Sequence, residues 1–200
     1  MAKLYFRYGT MGSAKTLNLL AVAHNYRQQG KRVLLLKPSM DARFGTATIA
    51  SRAGLEMPAD ILVSPSTDLF DIDLNDINCI LVDEAQFFSV EHVQQLRDIA
   101  LLKDVPVICY GLRTDFKSKL FPGSMRLMEL ADSIEEIKAT CFFCTKKSTM
   151  NLRHVDGRAA IDGPTIQLGA EESYFPTCYR CYYEQIKRAK ENIKEEVCIS

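Results

Sequence analysis

The chain has 200 residues, of which 47% are hydrophobic, and its 25 basic residues are balanced by 25 acidic ones. This length and hydrophobicity fit one medium-sized domain, or one domain with a small appendage, and exclude a chain that is disordered throughout. The balanced charge argues against binding to nucleic acid, which needs a concentrated basic face to neutralise the phosphates.

Membrane insertion and secretion are not expected either. No stretch approaches the ~20 apolar residues that span a bilayer. Residues 1–8 alternate between polar and apolar side chains and lack the apolar run of a signal peptide. We therefore expect a cytoplasmic protein. In that reducing compartment its seven cysteines should not form a disulfide framework.

Short apolar runs alternate with helical periodicities along the first two thirds of the chain. In chain order they predict a strand over 4–8, a helix over 15–29, strands over 33–37, 61–64 and 79–82, a helix over 90–102, a strand over 105–110 and an edge strand over 134–139. Residues 38–57 are mixed in composition and are expected to be mobile. Strands that alternate with helices predict an α/β fold, in which a parallel sheet carries helices on its faces.

The composition changes after Leu130. A polar, glycine-rich stretch lies between two cysteine pairs, and apolar residues at helical spacing from Ile186 to Val197 predict a closing amphipathic helix. We therefore place a domain boundary near residue 138, between an α/β domain, 1–138, and a C-terminal lobe, 139–200.

A glycine-rich loop joins the first predicted strand to the first predicted helix. Its residues are Gly9, Thr10, Met11, Gly12, Ser13, Ala14, Lys15 and Thr16. The phosphate-binding P-loop has the pattern G-x-x-x-x-G-K-S/T, from which this loop departs only at Ala14. Main-chain N–H groups of a P-loop surround the β-phosphate, the lysine contacts the β- and γ-phosphates, and the hydroxyl of the last residue binds Mg²⁺. The alternative is a glycine-rich turn that precedes a helix by chance.

Two acidic residues, Asp83 and Glu84, follow the predicted strand over 79–82. Ligands of parallel α/β sheets bind at the carboxyl ends of the strands, where these side chains are expected. In P-loop proteins an aspartate at this place helps to hold Mg²⁺, and a neighbouring glutamate can accept the proton of an attacking hydroxyl. The alternative is a solvated pair of acids without a role.

Two C-x-x-C pairs, Cys141 with Cys144 and Cys178 with Cys181, are separated by 33 residues. Four thiolates suit tetrahedral Zn²⁺, and a site with four protein ligands keeps no open position for catalysis. We therefore predict a structural zinc site that holds the C-terminal lobe together. The alternative is four reduced cysteines without a metal.

Taken in order, these motifs resemble those of the type II thymidine kinases, a family typified by the human cytosolic enzyme and by many bacterial ones. The match runs from about Leu4 to Tyr182. Besides the cysteine pairs, its most specific segments are Y-G-T-M at 8–11, K-T at 15–16, D-A-R-F-G at 41–45, V-D-E-A-Q-F-F at 82–88 and Y-G-L-R-T-D-F at 110–116. The resemblance implies a RecA-like P-loop sheet flanked by helices, and a small C-terminal zinc-ribbon lobe that carries a flexible "lasso" loop.

The resemblance also implies which residues bind ATP and act on it. Glu84 is the expected general base at the 5′-hydroxyl of the nucleoside. Asp83 and Thr16 belong to the magnesium region, which Asp41 approaches. The residues expected at ATP and its phosphates are those of the loop 9–16 with Arg43, Asp83, Glu84, Ala85 and Gln86.

A second set of residues is implied for the nucleoside. The residues expected around the thymine ring are Met11, Leu112 and Phe116, with Arg153 near the sugar–phosphate end, Tyr174 beside the substrate, and the main chain of Ile166, Gln167, Leu168 and Gly169 at the base edge. Asn151 stands where some members of the family carry a threonine near the thymine methyl group. An apolar slot with a few fixed polar groups suits an uncharged pyrimidine.

The implied reaction is the ATP-dependent phosphorylation of thymidine to thymidine monophosphate in nucleotide salvage, with Mg²⁺ and a structural Zn²⁺ as cofactors. A homotetramer and feedback inhibition by thymidine triphosphate are expected on the same ground. Two other functions stay open: a RecA-like ATPase stimulated by nucleic acid, and a nucleotide-binding zinc-ribbon module without turnover. The balanced charge argues against the first, and Ala14 is the departure that favours the second.

Overall fold

Six parallel strands form the main sheet of the structure, a computed structural model that describes residues 1–41, 47–165 and 173–199, with side chains as far as residue 192. In chain order the elements are β1 (Leu4–Tyr8), α1 (Lys15–Gln28), β2 (Arg32–Pro38), β3 (Thr48–Ala50), β4 (Glu56–Pro58), β5 (Ile61–Val63), β6 (Ile77–Val82), α2 (Val90–Leu102), β7 (Val107–Gly111), α3 (Pro122–Leu130), β8 (Ser133–Glu136), β9 (Met150–Val155), β10 (Arg158–Ala159), β11 (Tyr174–Thr177) and α4 (Tyr179–Ile199), with 3₁₀ turns at Leu69–Asp71 and Ala85–Phe87. The strand order of the main sheet is β5-β2-β6-β7-β1-β8, and each neighbouring pair is parallel. The prediction of a parallel α/β sheet is therefore confirmed.

Successive residues of the sheet belong to two different apolar cores, because side chains alternate between the faces of a strand. In β6, Ile80 and Val82 pack in one core with residues of α2 and α3, whereas Cys79 and Leu81 pack in the other with residues of α1. The strand β7 alternates in the same way from Val107 to Tyr110. Both strands are apolar on both faces, as a central parallel strand requires.

The thiols of Cys79 and Cys109 lie inside these two cores and are fully buried. Burial raises the pKa of the Cys79 thiol to about 12, and it raises the pKa of Cys109 further still. Thiols in such surroundings behave as small hydrophobic groups.

The helices agree with the sequence prediction where the chain carries clear start and stop signals. The observed bounds of α2 are the predicted ones, and its first turn is capped by Ser89, whose Oγ accepts a hydrogen bond from the His92 N–H at 3.1 Å. Just beyond α1, Gly30 has a φ of 72°, as expected for a glycine that ends a helix.

Some elements were not predicted. The helix α3 has nine residues and begins with Pro122, so its first turn has the composition of a loop. The segment 38–57, expected to be mobile, contains most of the antiparallel hairpin formed by β3 and β4. These short elements carry too few apolar positions to show a period.

The chain divides into two compact units. The first comprises Met1–Gly9, Ala14–Arg113 and Leu120–Ile137, and the second comprises Thr10–Ser13, Thr114–Lys119 and Lys138–Ser200. The assignment of 1–138 and 139–200 as separate domains stays a prediction.

The second unit contains a three-stranded sheet of order β10-β9-β11. This sheet occupies much of the stretch that the sequence showed only as polar and glycine-rich. Its two pairings are antiparallel, and a small core beside it contains Leu152, Ala159 and the α4 residue Ala189. Among the described helices of the whole chain, none has the length and apolar composition that crossing a bilayer requires.

Candidate active site

The glycine-rich loop connects β1 to α1 as predicted. Its first residue, Gly9, donates its N–H to the Gly111 carbonyl at 3.2 Å, and the Lys15 ammonium donates to the Gly9 carbonyl at 3.4 Å. The helix α1 begins at Lys15 without a side-chain cap, so its first N–H groups are suited to a bound anion.

The loop also contains a buried hydroxyl, that of Ser13. Its Oγ makes no hydrogen bond to any residue that the structure describes. Buried polar groups are normally paired, so this hydroxyl suits a ligand oxygen.

Ala14 adopts the left-handed conformation, with a φ of 63° and a ψ of 29°. Gly12 also has a positive φ, of 74°. The alanine therefore adopts the left-handed conformation at the position where the P-loop pattern has a glycine. An L-residue with a side chain is disfavoured there.

We expect Ala14→Gly to stabilise the protein by about 0.5–1 kcal/mol, because the relief of left-handed strain exceeds the extra chain entropy of glycine. Urea denaturation measures this difference. The matched control is Ala21→Gly on the exposed face of α1, where the same change should be destabilising by a similar amount. Destabilisation by both substitutions would show that position 14 is not left-handed.

The predicted magnesium residues lie together in the first unit. The Thr16 hydroxyl lies 3.3 Å from both carboxylate oxygens of Asp83. Asp83 is held at the end of β6, since its N–H donates to the Leu36 carbonyl of β2 at 2.9 Å. A hydroxyl and a carboxylate are oxygen ligands that Mg²⁺ accepts.

Asp41 lies in a buried ion pair that the sequence did not predict. Its carboxylate is 3.5 Å from the Lys37 ammonium, and both side chains are almost fully buried. Lys37 also donates to the Thr48 carbonyl at 2.9 Å. The feature of the sequence that could have indicated this ion pair is Lys37 itself, a lysine at the end of an apolar strand. Arg43, predicted at the phosphates, lies outside the described residues.

Glu84 follows β6 in the left-handed conformation, with a φ of 49° and a ψ of 40°. Ala85 and Gln86, predicted at ATP, are buried within the turn that comes next. The Gln86 amide donates a short hydrogen bond to the Glu84 carboxylate. It also accepts one from the N–H of Leu112, a residue predicted at the thymine ring, at 2.9 Å.

The second unit carries other residues predicted at the nucleoside. Phe116 is buried, and the guanidinium carbon of Arg153 lies 3.9 Å from the centre of its ring. That guanidinium donates to the carbonyls of Pro164 and Asp162 at 2.8 and 2.9 Å. Tyr174 is half-buried and pairs with Arg153 across the strands β11 and β9. The predicted main-chain contacts of Ile166 to Gly169 lie outside the described residues.

Two polar residues of the second unit hold the loop segment Thr10–Ser13, and the sequence did not indicate this role for either. Asn151 accepts a hydrogen bond from the Met11 N–H at 2.8 Å and donates to the Thr114 carbonyl at 3.0 Å. The hydroxyls of Thr10 and Ser148 are hydrogen-bonded at 2.8 Å. All three contacts join residues more than 30 positions apart, so no spacing in the sequence reveals them.

The four paired cysteines converge in the second unit. Their sulfur atoms all lie within 4.8 Å of one another, and those of Cys144 and Cys178 are 3.7 Å apart. Tetrahedral Zn²⁺ with Zn–S bonds of about 2.3 Å requires S···S distances of about 3.8 Å. The first pair sits on a hairpin, in which the Cys141 N–H donates to the Lys146 carbonyl at 2.7 Å.

The shifted pKa values of two of these thiols reflect how closely the four sulfur atoms lie. Although burial opposes ionisation, hydrogen bonds from the backbone N–H groups of Cys178 and Phe143 lower the pKa of Cys141 to about 7. Desolvation and the neighbouring cysteines raise the pKa of Cys181 to about 12. Four thiolates this close need a positive ion to balance them, so the residues fit a structural zinc site.

Comparison with known proteins agrees with the motifs. The family model described as "Thymidine kinase" matches residues 2–182. The thymidine kinase of Lactococcus lactis is 44% identical over 92% of this chain and 98% of its own, that of Enterococcus faecalis 43% over 92% and 95%, and that of Lactiplantibacillus plantarum 44% over 95% and 100%. Among solved structures, the Pif1 helicase from Candida albicans aligns with 68% of this chain and 36% of its own at a TM-score of 0.40 and 12% identity, which is too distant to bear on function. The family resemblance is confirmed, and the chain belongs to the thymidine kinase family.

Proposed function

We propose that this protein is an ATP-dependent thymidine kinase that forms ADP and thymidine monophosphate. The observation that carries the proposal is the meeting of Thr16 with Asp83, next to Glu84, at the end of a central strand in a chain of the thymidine kinase family. A P-loop hydroxyl beside a strand-end carboxylate is the arrangement that phosphoryl transfer from ATP requires.

The phosphate side of the reaction is assigned to the loop and the strand end. Thr16 and Asp83 would hold Mg²⁺, which neutralises charge on the β- and γ-phosphates when it is bound with ATP. Lys15 and Arg43 add positive charge at the phosphates, and the N–H groups at the start of α1 surround the β-phosphate. The buried Ser13 hydroxyl gains a partner in a phosphate oxygen.

Glu84 acts on the nucleophile. It accepts the proton of the 5′-hydroxyl as that oxygen bonds to the γ-phosphorus and the bond from this phosphorus to the β–γ bridging oxygen breaks. The proton therefore goes to Glu84 and the electron pair of the broken bond leaves with ADP. The left-handed backbone of Glu84 is consistent with this role, since strained residues concentrate at active sites.

The nucleoside side is assigned from the family. Met11, Leu112 and Phe116 pack around thymine, with Arg153 and Tyr174 near the sugar and the main chain of 166–169 at the base edge. Stacked on Phe116 and bound to two carbonyls, Arg153 serves more to shape this pocket than to supply a mobile charge. The four cysteines would hold Zn²⁺ as a structural ion, and we infer a homotetramer inhibited by thymidine triphosphate.

One assay tests the proposal against its alternatives. The purified protein is incubated with ATP, Mg²⁺ and a panel of nucleosides, with and without DNA, and the products are separated. We expect thymidine monophosphate and ADP in equal amounts, with no effect of DNA. ATP hydrolysis that DNA stimulates, without a nucleoside monophosphate, would identify a nucleic-acid-dependent ATPase. ATP binding with no turnover of any nucleoside would identify a binding module.

A further inference from the structure

We propose that Gln86 is a positioning residue that sets the orientation of the Glu84 carboxylate and ties it to the backbone at Leu112. The inference rests on the proposed function, because it assigns Gln86 a task in the proton transfer that Glu84 performs. It also changes the role expected for Gln86, from a contact of ATP to a support for the base.

The two ends of the Gln86 amide have different partners. Its Nε2 donates to Oε2 of Glu84, and its Oε1 accepts from the Leu112 N–H at 2.9 Å. A backbone N–H only donates, so the oxygen of the amide must face Leu112 and the nitrogen must face Glu84. Gln86 is only 2% exposed, and its bond to the Leu112 N–H is buried, so water does not compete for that bond.

The backbone around Gln86 leaves its side chain little freedom. A Cβ added to Gly111 would lie 2.7 Å from Oε1 of Gln86, and one added to Gly123 would lie 2.5 Å from the Phe88 carbonyl oxygen. Only glycine fits at position 123, where the crowding atoms are backbone oxygens of the turn that carries Gln86. At position 111 a side chain would push the end of the Gln86 side chain out of its place.

Leu112 is held from its other side as well. Its carbonyl accepts a hydrogen bond from the fully buried hydroxyl of Ser124 at 2.5 Å. A continuous set of hydrogen bonds thus runs from Ser124 through Leu112 and Gln86 to the carboxylate of Glu84.

This set explains how a flexible side chain becomes a directed base. Glu84 begins a short turn and has three rotatable side-chain bonds, so the contacts of its carboxylate decide where that group points. A catalytic carboxylate needs support from locked neighbours, because a misplacement of about 1 Å is able to cost about 10²-fold in rate. Gln86 supplies that support, and its hydrogen bond to the Leu112 N–H links the carboxylate to the residue that we propose at the thymine ring.

The test separates the two hydrogen bonds of Gln86. Gln86→Glu keeps an oxygen for the Leu112 N–H but replaces the donor to Glu84 by a second carboxylate. We expect kcat for thymidine phosphorylation to fall by about 10²-fold, while KM for ATP stays within about twofold, because no group at the phosphates changes. Gln86→Asn is neutral and too short to reach Glu84, and it should lower kcat in the same way, so that the result does not depend on a buried charge.

The matched control is Gln28→Glu, the same chemical change on an exposed residue of α1. It should leave kcat and both KM values unchanged. Near-normal kcat in a folded Gln86→Glu or Gln86→Asn protein would overturn the inference, as would an equal loss of kcat in Gln28→Glu. Failure of the proposed function is a different result, namely an inactive wild-type protein.

Discussion

Replacement of Glu84 by glutamine lowers kcat for thymidine phosphorylation by about 10²-fold or more, the loss expected when a general base is removed. Glutamine has the size of glutamate and still accepts the hydrogen bond from Gln86 through its oxygen, but it cannot take the proton of the 5′-hydroxyl. The bound nucleoside keeps its other contacts. We therefore expect the dissociation constant of thymidine to change little, and steady-state kinetics with isothermal titration calorimetry measure both quantities.

The control for this substitution is Glu91→Gln, the same chemical change on an exposed residue at the start of α2. It should leave kcat unchanged. Turnover near the wild-type rate in Glu84→Gln would remove this residue from the role of base. A large loss of thymidine affinity with normal kcat would instead assign Glu84 to binding.

Replacement of Cys144 by serine is expected to abolish zinc binding. The change removes one of four thiolates from the cluster, and structural zinc in small domains contributes about 10–16 kcal/mol of apparent binding free energy, which is also folding free energy. We expect the zinc content to fall from about one ion per chain to nearly none. Elemental analysis after gel filtration measures the zinc content. Thermal unfolding with and without a chelator measures the stability that the zinc contributes.

The matched control is Cys109→Ala, which removes a buried thiol outside the cluster. This variant should lose some stability, because a small cavity opens in the core, but it should keep its zinc. A full zinc content in Cys144→Ser would show that its thiolate is not a ligand. A wild-type protein that carries no metal and unfolds at the same temperature with a chelator would contradict the zinc site altogether.

The strands and helices of the main sheet were largely predictable, because the physics that selects them is local. The strands β6 and β7 are apolar on both faces, and such runs between turn residues show directly in the sequence. The helix α2 has both a capping serine and a regular period. The helix α3 lacked this clarity, since Pro122, Gly123 and Ser124 open it with loop-forming residues.

The strand β9 was missed for a different physical reason. It runs from Met150 to Val155, and its first four residues are buried, yet two of them are Asn151 and Arg153. Buried polar residues hide the alternation that marks a strand, because they are stabilised by specific partners and not by an apolar surface. Those partners, such as the Thr114 and Pro164 carbonyls, are known only once the chain is folded.

The contacts of the candidate site are also of two kinds, those that local motifs predict and those that depend on the folded chain. The meeting of Thr16 with Asp83 follows from two local motifs and one rule about strand ends, so the sequence predicted it. The contacts of Gln86 with Leu112 and of Lys37 with Asp41 follow from side-chain directions within the fold. A motif identifies which residues matter, whereas only the structure shows which ones hold them in place.

The second unit is built from three separate segments of the chain. Residues 10–13 and 114–119 belong to that unit, although they lie far upstream of residue 138. A fragment that starts at 138 would lose the Met11 N–H bonded to Asn151 and the Thr10 hydroxyl bonded to Ser148. Each buried group left unpaired costs about 1–3 kcal/mol. We therefore expect a fragment cut at residue 138 to be less stable than the intact unit, and swaps between relatives need to carry all three segments together.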